Sequence, residues 1–336
     1  MKSVIDNRIN NVKFICLFSI ICAHTISANI EAYRFLQIIG ICGVPCFFFL
    51  SGFLFTNHQK QSIGAFFRKR MITMIIPWLF VGSITYFINS LFGSKVEHLT
   101  IVNYILYIIG YHSHLYYLTV LSFFYVIFWR MDNSIIKLII YIGLPISALY
   151  VITVDYFINL NESIIYPYLN PMFWIGFFSL GLMLGGIQKN QSSKNLMIFL
   201  KNKTTILFLS FLWTVSGLAI WFRGHSFVSY FSVLAFLFEL IVVLISACYL
   251  IQGSNKRINW VSEVGNNSMF IYLTHIVIIG FLNTILKTSI SFDFAKPVIV
   301  ILIYLITTEI ILRIMRSNNL LNKIGQLFGL KKERYL

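Results

Sequence analysis

Residues 11–28 read NVKFICLFSIICAHTISA, an apolar run that carries Lys13 near its start and His24 near its end. Charged and titratable side chains are costly inside a bilayer, so a transmembrane helix that holds two of them is a candidate functional helix. His24 follows Lys13 by eleven positions. That spacing is close to three turns, so the two side chains share one helix face at an axial separation of about 16 Å. The stretch predicts a membrane helix with a cation towards one membrane face and an imidazole deeper in.

The composition of the whole chain indicates a polytopic membrane protein. Of its 336 residues, 58% are hydrophobic and 11% are charged, which is outside the range of soluble domains. The net charge of +15 does not indicate nucleic-acid binding, because the basic residues punctuate apolar runs instead of forming basic faces. We do not expect a cleaved signal peptide, since Ser27 and Ala28 make a poor cleavage site and further apolar runs follow.

Ten apolar runs of about 17–23 residues are long enough to cross a membrane. We therefore predict an all-α fold of about ten transmembrane helices, with a single membrane domain over residues 1–336 and a basic cytoplasmic tail over 316–336. The segment 100–111, TIVNYILYIIGY, is too short to span and is expected to be interfacial or re-entrant. The predicted spans are 11–28, 37–56, 71–92, 115–130, 135–153, 171–188, 204–222, 230–251, 267–287 and 295–315.

Loops rich in lysine and arginine alternate along the chain with loops that are poor in them. The even-numbered loops and the two termini hold 20 of the 26 Lys and Arg residues, the other loops hold five, and Lys13 lies inside the first helix. Cytoplasmic loops are enriched in these residues, so both termini are expected in the cytoplasm. Lys13 then lies towards the cytoplasm and His24 towards the outer half of the membrane. All loops are short, so any chemistry must be built between helices.

Three titratable side chains within predicted spans are candidates for function. His24 has an imidazole, which suits general-base work on a hydroxyl because its unperturbed pKa lies near neutral. His275 ends the motif VGNNSMFIYLTH (264–275) and is a second imidazole within a span. For both, the alternative is a hydrogen bond that joins two helices. Glu239 lies near the middle of the eighth span without a local partner, so it should face the bundle interior.

The second and third spans carry small and basic residues. In GVPCFFFLSGFLF (43–55), Pro45 can kink the helix, and Ser51-Gly52 lets another helix or a ligand approach the backbone. In FFRKRMITMIIP (66–77), the adjacent residues Arg68, Lys69 and Arg70 either set topology or bind the phosphates of an anionic molecule such as coenzyme A.

The motif HSHLYYL (112–118) lies at the outer end of the fourth span. A metal site is not expected there, because no nearby carboxylate or cysteine completes a ligand set. His114 and Tyr116 instead suit contacts with a polyhydroxylated acceptor or an interfacial aromatic belt. Elsewhere, Glu309 and Arg313 have the spacing of an intrahelical ion pair, and the five cysteines lie in apolar runs, where we expect reduced, buried thiols.

Taken together, these motifs resemble the membrane-bound acyltransferase-3 family, bacterial integral-membrane enzymes that O-acylate cell-surface glycans. They occur in the family's order over nearly the whole chain. The residues that carry the likeness are Lys13 to His24, PCFFFLSGF in the second span, FFRKRMITMIIPW entering the third, HLYYL at the fourth, FFSLGLMLG (177–185) in the sixth and VGNNSMFIYLTH in the ninth.

The resemblance implies that acyl-CoA donates from the cytoplasm, without a permanently bound cofactor, and that a sugar hydroxyl accepts. The chain departs from the family pattern at three positions. Lys13 stands where the family usually has Arg, and the family's second basic residue before the third-span proline is Thr73 here. The usual His-Leu-Trp of the fourth span is His114-Leu115-Tyr116, with Tyr in place of Trp.

We therefore predict an O-acyltransferase of the bacterial cytoplasmic membrane. It would transfer an acetyl group from acetyl-CoA to a surface polysaccharide of the O-antigen type or to its lipid-linked precursor. His24 would either deprotonate the acceptor hydroxyl or carry the acyl group. A lipid-linked glycan exporter is the alternative; a polysaccharide polymerase would need larger outer loops. The predicted site comprises His24 and Lys13 as catalytic residues, Arg70, Arg68, Lys69 and Ser51 at the donor, and His114, Tyr116, His275 and Glu239 at the acceptor.

Overall fold

The computed structural model describes residues 7–25, 30–56, 62–92, 100–111, 113–131, 133–158, 167–190, 194–223, 232–252, 258–285, 290–317 and 319–330. Within these ranges the chain is helical, and no strand is present. The elements are α1 (Asn7–His24), α2 (Ile30–Gly40), α3 (Gly43–Phe55), α4 (Ile63–Arg70), a π-helix (Met71–Ile75), α5 (Ile76–Phe92), α6 (Ile101–Ile109), α7 (Tyr116–Arg130), α8 (Asn133–Ile158), a 3₁₀ turn (Pro167–Leu169), α9 (Pro171–Asn190), α10 (Lys194–Lys201), α11 (Lys203–Phe222), α12 (Val233–Gln252), α13 (Asn259–Asn266), α14 (Ser268–Ile285), α15 (Ile290–Ser317) and α16 (Asn319–Leu327).

The apolar helices confirm a polytopic membrane protein. Seven helical stretches in the described ranges are long and apolar enough to cross a membrane, and the bent pair α13–α14 would make an eighth. The other two predicted spans coincide with α1 and α7, which do not meet the same test of length and composition. The count of ten and the cytoplasmic location of both termini therefore stay predictions. The seven stretches are Tyr33–Phe55, Ile63–Ser90, Ser134–Tyr156, Pro171–Gln188, Lys203–Phe222, Val233–Gln252 and Phe294–Ile311.

Three of the spans contain a break or a deformation. The span Tyr33–Phe55 is interrupted at Ile41 and Cys42, between α2 and α3. Pro45 follows in the first turn of α3, where a missing N–H costs no helical hydrogen bond. The span Ile63–Ser90 passes through the π-helix, and α14 is bent by 84° from α13 at Asn267. Such irregular backbone persists at membrane depth only where it is buried in protein or lines a cavity.

Glycines bring α3 and α9 into backbone contact. A Cβ added to Gly181 would lie 2.0 Å from the Phe49 carbonyl oxygen, and one added to Gly52 would lie 2.1 Å from that of Phe178. Small residues at a helix interface permit this close packing in membranes. The Ser51-Gly52 motif and the FFSLGLMLG motif are therefore two sides of one interface. A glycine is required at position 52 because α9 leaves no room for a side chain there.

The short segment 100–111 folds as α6 and leads into α7 through a tight turn. Thr100 caps α6, its hydroxyl accepting a hydrogen bond from the Asn103 N–H at 3.1 Å. Trp78 of α5 donates its indole N–H to the Ile108 carbonyl at 3.1 Å and holds α6 against the bundle. Gly110 ends α6 with a φ of 94°, and a Cβ there would lie 2.1 Å from the Tyr116 nitrogen. A glycine is therefore needed at this turn.

The described part of the predicted tail is packed against the bundle. Helix α16 contacts α5 and α15, the Phe328 ring lies 5.3 Å from that of Phe80, and Leu330 is buried. Residues 331–336 lie outside the described ranges.

The predicted ion pair lies on α15, before the tail. The Arg313 Nε donates to the Glu309 carboxylate at 2.7 Å, which confirms the intrahelical ion pair.

The α3–α9 contact makes a matched prediction possible within one helix. Gly181→Ala forces a methyl group against the Phe49 carbonyl, whereas Gly186 has open space around its added Cβ. Overpacking of this kind typically costs about 1–3 kcal/mol. We expect Gly181→Ala to lower the midpoint of thermal unfolding in detergent and Gly186→Ala to leave it unchanged or slightly higher. Equal midpoints for the two variants would contradict the described packing.

Candidate active site

The site is built around the end of α1. His24 is the last residue of this helix and is partly exposed; the helix begins at Asn7, four residues before the predicted span, and residues 26–28 of that span lie outside the described ranges. Its last turn closes with a hydrogen bond from the Thr25 N–H to the Cys22 carbonyl at 3.2 Å. Helix α2 fixes this turn from the side, because the Gln37 amide donates to the Ala23 carbonyl at 2.5 Å. The exit of the chain beside His24 is therefore anchored by its neighbour.

Three imidazoles from three separate elements meet at this point. The ring centroid of His24 lies 5.1 Å from that of His275 on α14 and 6.3 Å from that of His114, in the turn before α7. The rings of His114 and His275 are 5.2 Å apart. The histidines of the first and ninth predicted spans and the one immediately before the fourth thus form one cluster, which we call the imidazole cluster.

His114 is held through its backbone. Ser113 donates its hydroxyl to the Tyr107 carbonyl at 2.8 Å and accepts the Leu115 N–H at 3.3 Å, which fixes the turn. The Tyr272 hydroxyl of α14 donates to the His114 carbonyl. The side chain is buried, and its Nε2 has no hydrogen-bond partner in the described part of the chain.

His275 is held through its ring. Its Nδ1 is 2.6 Å from the Tyr272 carbonyl oxygen, one turn earlier on α14. The residue is fully buried, and its Nε2 is also without a hydrogen-bond partner among the described residues. Because buried polar atoms in proteins are normally paired, the two unpartnered nitrogens indicate that hydrogen-bonding groups, from a ligand or from a neighbouring side chain, belong beside them.

A second group of polar side chains lies on α4 and α7. The Arg70 guanidinium lies over the ring of Tyr125 at 4.4 Å and over that of Phe66 at 5.2 Å. Arg68 and Lys69 are exposed, so Arg70 is the member of this basic run that faces the bundle. The π-helix begins directly after Arg70, and π-helical turns occur frequently at functional sites.

Ser51 and Tyr117 lie between the two groups. The Ser51 hydroxyl is 3.0 Å from the Tyr117 hydroxyl, and both residues are buried. The Tyr117 ring is 5.6 Å from that of Tyr272, which itself contacts the imidazole cluster. On the other side, the Tyr117 hydroxyl lies within electrostatic range of Arg70. Aromatic hydroxyl groups therefore line the interior from the basic run to the imidazoles.

Lys13 stands apart from the imidazole cluster. It is half-buried on α1, about 16 Å along the helix axis from His24. Next to it, the Phe14 ring contacts that of Trp260 at 5.0 Å, and a Cβ on Gly265 would lie 2.5 Å from the Asn10 carbonyl. Helix α13, the first half of the bent span, therefore packs against the part of α1 that carries Lys13.

Two predicted acceptor residues lie outside the cluster. Tyr116 points to the other side of α7, where its ring contacts those of Tyr168 and Trp174 at 5.1 and 5.9 Å. Glu239 is fully buried on α12, and both of its carboxylate oxygens lack a partner in the described ranges. It lies within electrostatic range of the Cys46 thiol and makes no hydrogen bond to an imidazole in the described ranges.

Tyr117 and Tyr272 belong to the site, and neither is among the site residues predicted from the sequence. Tyr117 is adjacent to Tyr116, and the motif HLYYL gives no sign of which tyrosine faces inwards. Tyr272 precedes His275 by three positions, so the shared helix face was a usable signal. In the described part of the chain no three His, Cys, Asp or Glu side chains have the geometry to hold a metal ion.

Comparison with known proteins identifies the family of the chain. The family model Acyl_transf_3, described as an acyltransferase domain, matches residues 6–312. The fold and the match together define a membrane-embedded acyltransferase. The chain belongs to the acyltransferase-3 family, since the match covers most of its length. No curated protein and no solved structure matches the chain.

The hydrogen bond from Tyr272 to the His114 carbonyl gives a test of the site's construction. Tyr272→Phe removes the hydroxyl and leaves a buried carbonyl without its partner, a loss of about 1–3 kcal/mol. We expect acyl transfer to fall about tenfold or more while the protein still inserts into the membrane. The control is Tyr141→Phe, at a side chain that is 76% exposed, which should be silent. Full activity in Tyr272→Phe would show that this bond does not position His114.

Proposed function

We propose that the protein is an O-acetyltransferase of the bacterial cytoplasmic membrane. It moves the acetyl group of acetyl-CoA from the cytoplasmic side to a sugar hydroxyl of a surface polysaccharide or of its lipid-linked precursor. The observation that carries this proposal is the imidazole cluster, in which the partly exposed His24 is flanked by two unpartnered nitrogens.

The chemistry of the cluster favours a neutral hydroxyl as the acceptor. A neutral imidazole offers one nitrogen that accepts and one that donates a hydrogen bond, which is what an alcohol needs in order to bind and to lose its proton. The contacts described around the three rings come from tyrosine side chains and from other imidazoles. An acceptor rich in hydroxyl groups fits these surroundings better than an anionic one.

Arg70 and Lys13 are the residues we assign to the donor. Coenzyme A carries phosphates, and the planar guanidinium of Arg70 is suited to binding them. The exposed Arg68 and Lys69 add positive charge at the same entrance. Ser51 and Tyr117, joined at 3.0 Å, offer hydroxyl groups along the path of the pantetheine arm. Thr73 cannot act as a second cation, and its hydroxyl donates to the Lys69 carbonyl at 2.8 Å.

The donor residues and the imidazole cluster lie apart, which suits two substrates that arrive from opposite sides of the membrane. Lys13 and His24 share one helix face with an axial separation of about 16 Å. A donor with a long, flexible arm can be held by its anionic end near the basic residues while its thioester reaches His24. The transferred group then crosses much of the membrane inside the protein.

Mass spectrometry of surface glycan from cells with and without the gene tests this function. We expect loss of one acetyl group per modified repeat in the deletion strain, with restoration by the wild-type gene and not by His24→Ala. The His24→Ala protein must be shown to insert at wild-type levels. Unmodified glycan that accumulates inside the cell in the deletion strain would instead identify an exporter. Normal acetylation by an inserted His24→Ala protein would remove His24 from the mechanism.

The role of Arg70 is tested by a conservative substitution. Arg70→Lys keeps the charge but loses the planar fork and the stacking on Tyr125. We expect the KM for acetyl-CoA to rise about tenfold, which corresponds to about 1.4 kcal/mol of binding, with a smaller change in kcat. Arg68→Lys, at an exposed position, is the matched control and should change the KM by less than a factor of about two. A larger effect at Arg68 than at Arg70 would place the donor outside the bundle.

A further inference from the structure

The position of one proton in the imidazole cluster follows from the hydrogen bond of His275. A carbonyl oxygen can only accept, so the Nδ1 of His275, 2.6 Å from the Tyr272 carbonyl, must carry a hydrogen. The ring is fully buried between two other imidazoles. An imidazolium there, with its Nε2–H unpaired, would carry the full desolvation penalty of a charge. The ring is therefore neutral, and its Nε2 holds a lone pair.

That lone pair has no hydrogen-bond donor among the described residues. We expect the donor to be a ring N–H of His24. The centroids of the two rings are 5.1 Å apart, which leaves about 3 Å between ring nitrogens that face each other, the length of a hydrogen bond. His114 is about as close to His275, with ring centroids 5.2 Å apart. Its ring already has a hydrogen bond to the Leu273 backbone, and its Nε2 is without a partner among the described residues, so a neutral His114 holds a lone pair at Nε2 and has no N–H to donate there. The structure does not contain the bond between His24 and His275; the bond requires a His24 rotamer in which a ring N–H points towards the His275 Nε2.

A base needs a hydrogen-bond acceptor behind it to fix its orientation, and in hydrolytic triads a carboxylate fills that role. Glu239 does not do so here, because both of its oxygens are unpartnered in the described part of the chain. The described contacts of His24 offer another imidazole in place of a carboxylate.

We propose that His275 is the positioning residue for His24. Its Nε2 accepts a hydrogen bond from one ring N–H of His24, which holds the other His24 nitrogen, with its lone pair, towards the reacting groups. This inference rests on the proposed acetyl transfer. The hydroxyl oxygen of the acceptor attacks the thioester carbonyl carbon, the new C–O bond replaces the C–S bond, and the hydroxyl proton passes to His24 and then to the departing thiolate. His275 keeps its own Nδ1 proton throughout.

Two substitutions separate positioning from a merely structural role. The Asn side chain of His275→Asn retains an amide N–H for the Tyr272 carbonyl but does not reach the place of Nε2. The Gln side chain of His275→Gln extends an amide oxygen, a hydrogen-bond acceptor, to about that place. We expect His275→Asn to lower kcat about 100-fold with an unchanged KM for acetyl-CoA, and His275→Gln to recover about tenfold of that loss. Wild-type kcat in His275→Asn, or equal kcat in two folded variants, would overturn the proposal.

A measurement on the wild-type protein keeps the test independent of both variants and of the assay. Nitrogen-15 NMR of histidine-labelled protein in lipid should show one N–H···N scalar coupling between two imidazoles, and the coupling should disappear in His24→Ala. Absence of this coupling in the wild type would contradict the bond even if the enzyme acetylates glycan. A wild-type protein that shows the coupling and transfers no acetyl group would contradict the proposed function instead.

Discussion

The interior of a membrane protein must supply the hydrogen bonds of every polar side chain that it contains, because the surrounding lipid supplies none. The site described above meets this constraint mainly with backbone carbonyls. Gln37 donates to the carbonyl of Ala23, Tyr272 to that of His114, and His275 to that of Tyr272. Each of these bonds fixes a side chain or a turn beside the imidazole cluster without using another side chain as the acceptor.

The closely packed helices α3 and α9 are regular, whereas the backbone around the site is irregular. Between α3 and α9, glycines allow backbone-to-backbone contact along regular helices, and large aromatic side chains such as Trp174 and Phe178 are fully buried beside them. At the site, by contrast, the chain is irregular. His24 stands at a helix end, His114 in a turn, His275 beyond a sharp bend, and Arg70 at the start of a π-helix. Close packing of the regular part holds these irregular segments in place.

Much of this arrangement follows from the sequence, in particular the membrane class, the helix that presents His24, and the three histidines as candidates. Their meeting point does not follow, because the order of helices in a bundle depends on packing between distant segments. The same limit explains Tyr116. Two adjacent tyrosines lie about 100° apart around a helix, and only the neighbouring helices decide which one faces inwards. Glu239 was predicted to face the bundle interior, and it is buried, but beside a cysteine rather than an imidazole. Composition alone does not distinguish those two surroundings.

The π-helix at Met71–Ile75 has a consequence for the way this protein can change its sequence. A π turn contains one residue more than the α turn it replaces, so it takes up that residue while the helix after it keeps nearly the orientation that an α-helix one residue shorter would have. Arg70 faces Tyr125 on one side of this turn, and Trp78 faces the Ile108 carbonyl on the other. Both orientations are also compatible with a regular α-helix that is one residue shorter. Loss of one residue from this segment would therefore convert the π turn into an α turn and leave both side chains facing their partners, so the length of this segment is less strictly constrained than that of the regular helices around it.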